Sequence, residues 1–151
     1  MLNYIVDTSV VVKWFDQERE QHVERALNLF KQMMTGTIRV CSVDLLYYEL
    51  ANALIKGKRR PAKIVYQHLE DLEKLPLRIV AYSMTLMRNA LEMAEQYNLT
   101  VYDAIFVATA KLENGILVTD NPKHQGRDSK INVMAIKDYP VETNTEKVEE
   151  D

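Results

Sequence analysis

Short apolar runs alternate with longer segments of helical periodicity along most of this chain, and this alternation limits the fold more than any other feature. Five runs rich in Val, Ile and Leu predict strands at residues 3–6, 37–41, 77–81, 116–119 and 131–136. Helices are predicted between them, at about residues 9–15, 18–34, 44–57, 61–74, 84–97 and 101–113. Strands joined by helices run mainly parallel, with helices covering both faces of the sheet. We therefore predict an α/β fold, a single α/β/α sandwich around a mainly parallel, roughly five-stranded sheet.

The distribution of Pro, Gly and Ser gives no linker that would divide the chain into two domains. A length of 151 residues is enough for one domain with a sizeable core. Residues 141–151 are acidic and polar, with too little apolar surface to bury. We predict one domain over residues 1–140 and a disordered acidic tail over 141–151.

Composition narrows the cellular setting and the classes of partner. The net charge of −3 gives no overall basic signature, so any nucleic-acid binding must depend on a local patch. No apolar run is long enough to span a bilayer, and the N-terminus lacks the pattern of a signal peptide. The single Cys41 cannot form an internal disulfide. We expect a cytoplasmic protein with no membrane partner.

Two carboxylates directly follow predicted strands. Asp7 ends the first strand and is followed by Thr8 and Ser9, while Asp120 follows Thr119 at the end of the fourth strand. In open α/β sheets, ligands bind outside the carboxyl ends of the strands. Taken separately, Asp7 is typical of a helix N-cap and Asp120 of a turn.

Two further acids lie in apolar helical segments. Glu49 shares a helix face with Leu45, and Asn52 lies three residues on, within hydrogen-bonding reach. A position at the border of the apolar stripe explains Glu49 equally well. Asp103 opens a helix that is apolar nearly all round, with Thr100 as a candidate N-cap. That spacing also predicts a capping box, in which the negative charge of Asp103 interacts favourably with the positive end of the helix dipole.

The four acids together indicate a metal site. Carboxylates that share a dry pocket cannot all stay ionised without a cation. All-oxygen ligands suit Mg²⁺ or Mn²⁺, and a metal held this way can activate water against a phosphodiester. The histidines are scattered, and none lies near Ser9 in sequence to activate it as a nucleophile.

Four motifs in this order resemble the PIN-domain family of ribonucleases, and within it the VapC-type toxins of toxin–antitoxin pairs. They are Tyr4–Val10, Glu49–Leu54, Tyr102–Ala104 and Leu117–Asp120, and the resemblance covers roughly residues 2–140. It implies a PIN-like fold and an endoribonuclease that cuts single-stranded RNA with Mg²⁺ or Mn²⁺. It also implies a VapB-like antitoxin as partner and a homodimer.

The resemblance also implies roles for individual residues. The family's acids map by motif onto Asp7, Glu49 and Asp103. The fourth acid of the family often stands two residues after the position of Thr119, where this chain has Asn121. Either Asp120, one residue earlier, or Asn121 completes the site. Thr8 or Ser9 supplies the hydroxyl that orients the first acid or a metal-bound water.

A cluster of cations follows the helix that carries Glu49. Its members are Lys56, Lys58, Arg59, Arg60 and Lys63. A solvated connection between helices is the ordinary meaning of such a run, but a position at the rim of the site would let it grip RNA phosphates. Further candidates for RNA contact are Lys13, Lys123, His124 and Arg127, with Trp14, Phe15, Tyr47 and Tyr48 for base stacking. For Trp14 and Phe15 we favour a place in the core or an interface.

Two other readings remain open. A catalytically inactive PIN-like module would bind RNA or a protein without cutting, as a scaffold. A phosphatase with an aspartyl nucleophile ranks lower, because Ser9 stands where such enzymes usually place a second Asp.

Overall fold

The central sheet has five parallel strands. The computed structural model describes residues 1–122 and 132–141. The strands are β1 (Asn3–Val6), β2 (Arg39–Val43), β3 (Leu77–Val80), β4 (Ile116–Thr119) and β5 (Val133–Ala135). They lie in the order β3-β2-β1-β4-β5, and each neighbouring pair is parallel. The predicted fold class is confirmed. Most of the predicted acidic tail, residues 142–151, and the start of the predicted fifth strand lie outside the described residues.

Six α-helices connect and cover the strands. They are α1 (Thr8–Phe15), α2 (Val23–Met34), α3 (Leu45–Asn52), α4 (Ala62–Glu73), α5 (Met84–Tyr97) and α6 (Val101–Leu112). A π-helical turn, Ala53–Gly57, extends α3, and a 3₁₀ turn, Ile136–Asp138, follows β5. No helix in residues 1–122 and 132–141 has the length and apolar character needed to cross a bilayer.

The predicted start of α2 is wrong by five residues. We predicted a helix from Glu18, but the helix begins at Val23. Arg19 and His22 have φ angles of 59° and 57°, in the left-handed region that a right-handed helix cannot contain. The side chain of Glu18 instead pairs with Arg60, 42 residues along the chain. The helical sequence pattern therefore extends further toward the N-terminus than the helix itself.

The second strand also begins later than predicted. We predicted residues 37–41, but the strand spans Arg39–Val43. The amide of Thr37 donates to the carbonyl of Gln32, 3.0 Å away, and so still belongs to the end of α2. Gly36 supplies the left-handed conformation there, with φ 74°.

The core lies in two layers, one on each face of the sheet. Tyr4 and Val6 of β1 pack with apolar residues of α1 to α4, whereas Ile5, between them, packs with α5 and α6. This alternation follows from strand geometry, since successive side chains point to opposite faces. Because β1 is buried on both faces from Tyr4 to Val6, these three residues are all apolar.

Gly115 permits close packing between the end of α6 and β1. A Cβ atom at this position would lie 2.3 Å from Ile5 Cδ1 and 2.9 Å from the carbonyl oxygen of Asn3. Asn114, not Gly115, adopts the left-handed conformation at the end of α6, with φ 50°. The glycine is needed for space rather than for backbone freedom.

The strand order brings the two predicted strand-end acids to one place. From β1 the chain adds β2 and β3 on one side, and later adds β4 and β5 on the other. This reversal creates a topological switch point between β1 and β4, where α/β proteins bind ligands. Val6 of β1 is in register with Val118 of β4, so Asp7 and Thr119 leave the sheet side by side.

Candidate active site

A cavity of about 210 Å³ opens at this switch point. Its lining is mostly oxygen-bearing: Asp7, Thr8, Ser9, Glu49, Asp103, Phe106, Thr119 and Asn121. Three carboxylates predicted from separate motifs, one after β1 and the others on α3 and α6, therefore line one space.

Asp7 is held by two hydroxyl groups. Its side chain is only 7% exposed. Ser9 Oγ donates to Asp7 Oδ1 and Thr119 Oγ1 donates to Asp7 Oδ2, each at 2.6 Å. The residue does stand at the N-cap of α1, but its side chain makes no capping hydrogen bond. The two carboxylate oxygens of Asp7 are therefore oriented by hydroxyl groups of α1 and β4.

Negative charge is concentrated in this cavity. Burial raises the pKa of Asp7, the hydroxyls of Ser9 and Thr119 partly offset this, and the charge of Asp103 adds to it. Burial also raises the pKa of Glu49, with Thr8 opposing and the charges of Asp7 and Asp103 contributing. Such mutual repulsion in a partly dry pocket is what a bound cation relieves.

Glu49 is oriented by α1 rather than by its own helix. Thr8 Oγ1 donates to Glu49 Oε1 at 2.8 Å. Asn52, the predicted partner of Glu49, lies exposed at the end of α3 and does not line the cavity. Thr8 and Ser9 thus serve different acids, since Ser9 binds Asp7.

Asp103 sits in the first turn of α6. Thr100 caps the helix, as predicted, by accepting a hydrogen bond of 3.1 Å from the amide of Asp103. Phe106, one turn further on, also lines the cavity and was not predicted. Its spacing from Asp103 puts it on the same helix face, which is the sequence signal that identifies it.

The end of β4 offers two candidates for the fourth residue of the metal site, Asp120 and Asn121, and they lie in different surroundings. Asn121 lines the cavity, whereas Asp120 does not. Asp120 Oδ2 lies 3.0 Å from Lys13 Nζ instead. The backbone amide of Asn121 donates to Thr119 Oγ1 at 3.1 Å, which holds the turn against β4.

The donor set fits a hydrated divalent cation. Carboxylate, amide and hydroxyl oxygens are ligands that Mg²⁺ and Mn²⁺ accept. Within the described ranges, 1–122 and 132–141, no three His, Cys, Asp or Glu side chains lie close enough together to hold a metal ion by themselves. Mg²⁺ keeps several waters when it binds to proteins, so widely spaced carboxylates suit it better than they suit a fully dehydrated ion.

The basic cluster separates into paired and exposed members. Arg60 Nε lies 2.6 Å from Asp16 Oδ2, and this hydrogen bond holds the pKa of Asp16 below its usual range. Lys58 Nζ lies 2.8 Å from Glu20 Oε2. The other three members, Lys56, Arg59 and Lys63, are exposed.

The further residues predicted to contact RNA differ in how exposed they are. Lys13 is wrong as a phosphate contact, because its side chain is fully buried. Lys123, His124 and Arg127 lie outside the described residues. Trp14 is buried in the core against Phe30, with its indole N–H donating to the carbonyl of Ala26 at 2.9 Å. Tyr48 is 77% exposed.

Comparison with known proteins identifies the family. A family model described as the PIN domain matches residues 4–128. The chain belongs to the PIN-domain family. This PIN domain is 31% identical over 124 residues to Ribonuclease VapC3 of Pyrobaculum aerophilum, covering 78% of this chain and 88% of that protein.

Solved structures share the fold of this PIN domain at low sequence identity. VapBC2 from Rickettsia felis, bound to a promoter DNA fragment, matches with a TM-score of 0.68 and 18% identity, covering 89% of this chain and 98% of that chain. VapBC-1 from nontypeable Haemophilus influenzae also gives 0.68, with 15% identity, covering 90% and 99%. The predicted resemblance is confirmed at the level of family and fold.

Proposed function

We propose that this PIN domain is a divalent-metal-dependent endoribonuclease that cuts single-stranded RNA, acting as the toxin of a VapBC-type toxin–antitoxin pair. The observation that carries the proposal is the cavity at the β1–β4 switch point, lined by three carboxylates of which Asp7 is almost fully buried. A relative named as a ribonuclease supports the choice of substrate.

Asp7, Glu49 and Asp103 would hold Mg²⁺ or Mn²⁺, with Asn121 or Asp120 completing the set. The bound ion would supply an activated water and neutralise charge on the phosphoryl oxygens. Asn121 is the better-supported fourth member because it lines the cavity, while Asp120 is engaged by Lys13.

The chain's own hydroxyls prepare these acids. Ser9 and Thr119 each donate to one oxygen of Asp7, so the carboxylate cannot rotate and its remaining lone pairs point in defined directions. Thr8 restrains Glu49 in the same way, leaving Glu49 Oε2 available as ligand or as acceptor for a proton from water. Ordering these groups before RNA binds removes that cost from the chemical step.

RNA would be held by phosphate contacts from the basic cluster. Lys56, Arg59 and Lys63 are exposed and suited to this role, whereas Lys58 and Arg60 serve mainly in ion pairs. We include all five as candidates, because an ion-paired Lys or Arg still has donors for a phosphate.

The proposal extends to partners and location. A VapB-like antitoxin would bind this protein, since solved structures of the same fold are VapBC complexes. We also propose a homodimer and a cytoplasmic location, which agrees with the single buried thiol of Cys41.

Cleavage of a labelled RNA tests the activity directly. The wild type should cut single-stranded RNA with Mg²⁺ or Mn²⁺, cut the same sequence poorly as a duplex, and stop when EDTA is added. Asp7→Asn and Asp103→Asn should each lower the rate by at least ~100-fold, since changes in outer-shell partners alone cost about 10–100-fold. Asp71→Asn on exposed α4 is the matched control and should cut normally.

The outcomes separate the candidate functions. Normal cleavage by both site variants would refute the site assignment. A wild type that binds RNA but cuts none under any metal condition would favour the inactive scaffold.

RNA affinity at several salt concentrations tests the basic cluster. Changing Lys56, Arg59 and Lys63 to Ala should weaken binding and reduce the slope of log affinity against log salt by about 0.7 for each lost phosphate contact. Arg88→Ala, at an exposed position of α5, is the control. An unchanged slope in the triple variant would show that these cations are only solvated surface.

A further inference from the structure

Lys13 carries a charge into the interior of the fold. Its side chain has no exposed surface, although lysines are almost never fully buried without partners. Its ammonium nitrogen lies 3.1 Å from Glu20 Oε1 and 3.0 Å from Asp120 Oδ2. These two carboxylates offset the cost of removing the ammonium from water.

Contacts continue from this ion pair to the centre of the cavity. The amide of Asp120 donates to Ser9 Oγ at 2.9 Å, and Ser9 Oγ donates to Asp7 Oδ1 at 2.6 Å. The Ser9 hydroxyl accepts a hydrogen bond from the backbone amide of Asp120 and donates one to Asp7, so both interactions fix its orientation. The position of Asp120 therefore affects the orientation of Asp7.

We propose that Lys13 is a positioning residue, which holds the Asp120 carboxylate outside the cavity so that Ser9 orients Asp7 and Asn121 faces the ion. This inference rests on the proposed function, because it assigns Lys13 a role in the metal site proposed there. Lys13 touches neither metal nor RNA, and it acts through Asp120.

Positioning and charge make opposite predictions for metal affinity. Lys13→Met removes a positive charge near an acidic cavity, and by Coulomb's law alone the variant should bind a divalent cation more tightly. The same change also frees Asp120 to become an extra ligand, which again tightens binding. If Lys13 instead acts by positioning, the variant disorders the Asp120–Ser9–Asp7 contacts and binding weakens.

Mn²⁺ affinity, measured by electron paramagnetic resonance without RNA, separates these effects. Lys13→Met should raise the Kd for Mn²⁺ by about 10-fold, the lower end of the range for outer-shell changes. Lys13→Arg keeps the positive charge and has N–H donors for both carboxylates, so it should restore at least part of the affinity. Arg78→Met removes a cation paired with Glu113 away from the cavity and should leave the Kd unchanged.

A second variant covers the case in which Lys13→Met does not fold. The pair Lys13→Met with Glu20→Gln removes one charge of each sign and leaves Asp120 intact. The amide oxygen introduced at position 20 can still accept a hydrogen bond from Lys58, so the variant should fold and should still bind Mn²⁺ about 10-fold more weakly. Wild-type or tighter Mn²⁺ affinity in the folded variant would overturn the inference alone. A wild type that neither binds Mn²⁺ nor cuts RNA would overturn the proposed function and this inference with it.

Discussion

Replacing Thr119 by Val isolates the hydrogen bond that the fold provides to Asp7. Thr119 is fully buried, and its hydroxyl donates to Asp7 Oδ2 at 2.6 Å and accepts from the amide of Asn121 at 3.1 Å. Valine has nearly the same shape and neither hydrogen-bonding function. The change should therefore remove these interactions while leaving the packing of β4 intact.

The lost bond to Asp7 decides the size of the effect. Hydrogen bonds to charged groups contribute about 1.5–3 kcal/mol each. Asn121 is exposed, so water can replace the hydroxyl at its amide, whereas Asp7 is buried and its Oδ2 is left unpaired. We expect Thr119→Val to lower the free energy of unfolding by about 1.5–3 kcal/mol. For a chain of this length, that corresponds to a decrease in Tm of roughly 3–12 °C.

The effect should depend on pH in one direction. The Thr119 hydroxyl lowers the pKa of Asp7, against the larger effect of burial, because it stabilises the ionised carboxylate. Its loss therefore raises the folded-state pKa further above the ordinary value of 3.8. The stability lost in the variant is greatest above that pKa, where Asp7 is ionised, and diminishes as the pH falls through it.

Urea denaturation in EDTA, at about neutral pH and near pH 4, measures both quantities. Thr109→Val is the matched control, because Thr109 is equally buried but donates to a neutral acceptor, the carbonyl of Ile105, at 2.7 Å. The control should cost no more than about 1 kcal/mol and show no such pH dependence. Equal losses in the two variants at neutral pH would refute the reasoning, because the charge of Asp7 would then contribute nothing.

Two further predictions concern stability. Glu49→Gln should raise the Tm of the metal-free protein at neutral pH and flatten the pH dependence of its stability. The reason is that the pKa of Glu49 is raised in the folded state, so the wild type loses stability as the pH rises through that pKa. A calorimetric Tm in EDTA that is no higher than that of the wild type would contradict this. Gly115→Ala should lower the free energy of unfolding, measured by urea denaturation, by about 1–3 kcal/mol, because the new Cβ would overlap Ile5 Cδ1. Gly57→Ala is the control, since a Cβ there has no neighbour within 4 Å, and it should be neutral or slightly stabilising. Equal stability of the two glycine variants would show that β1 shifts to make room.

Local patterns predict most of the secondary structure and the sheet type. The β4 bounds, Ile116–Thr119, match the prediction, and Thr100 caps α6 as its spacing indicates. These features depend on residues near in sequence, since periodicity records which face of an element is buried and caps use neighbouring groups. The start of α2 was missed because the backbone is left-handed at Arg19 and His22, a conformation that the helical spacing of apolar residues does not reveal.

The sequence by itself determined the elements, the parallel sheet and the acids that stand at strand ends and helix starts. Only the tertiary structure decided how the acids are oriented: Ser9 and Thr119 hold Asp7, Thr8 rather than Asn52 holds Glu49, and Lys13 pairs with Asp120, which does not line the cavity. Lys13 and Asp120 are 107 residues apart in sequence, and no local pattern encodes their pairing. The two residues come close because β1 and β4 are neighbours at the switch point, which brings the helix after one strand against the turn after the other.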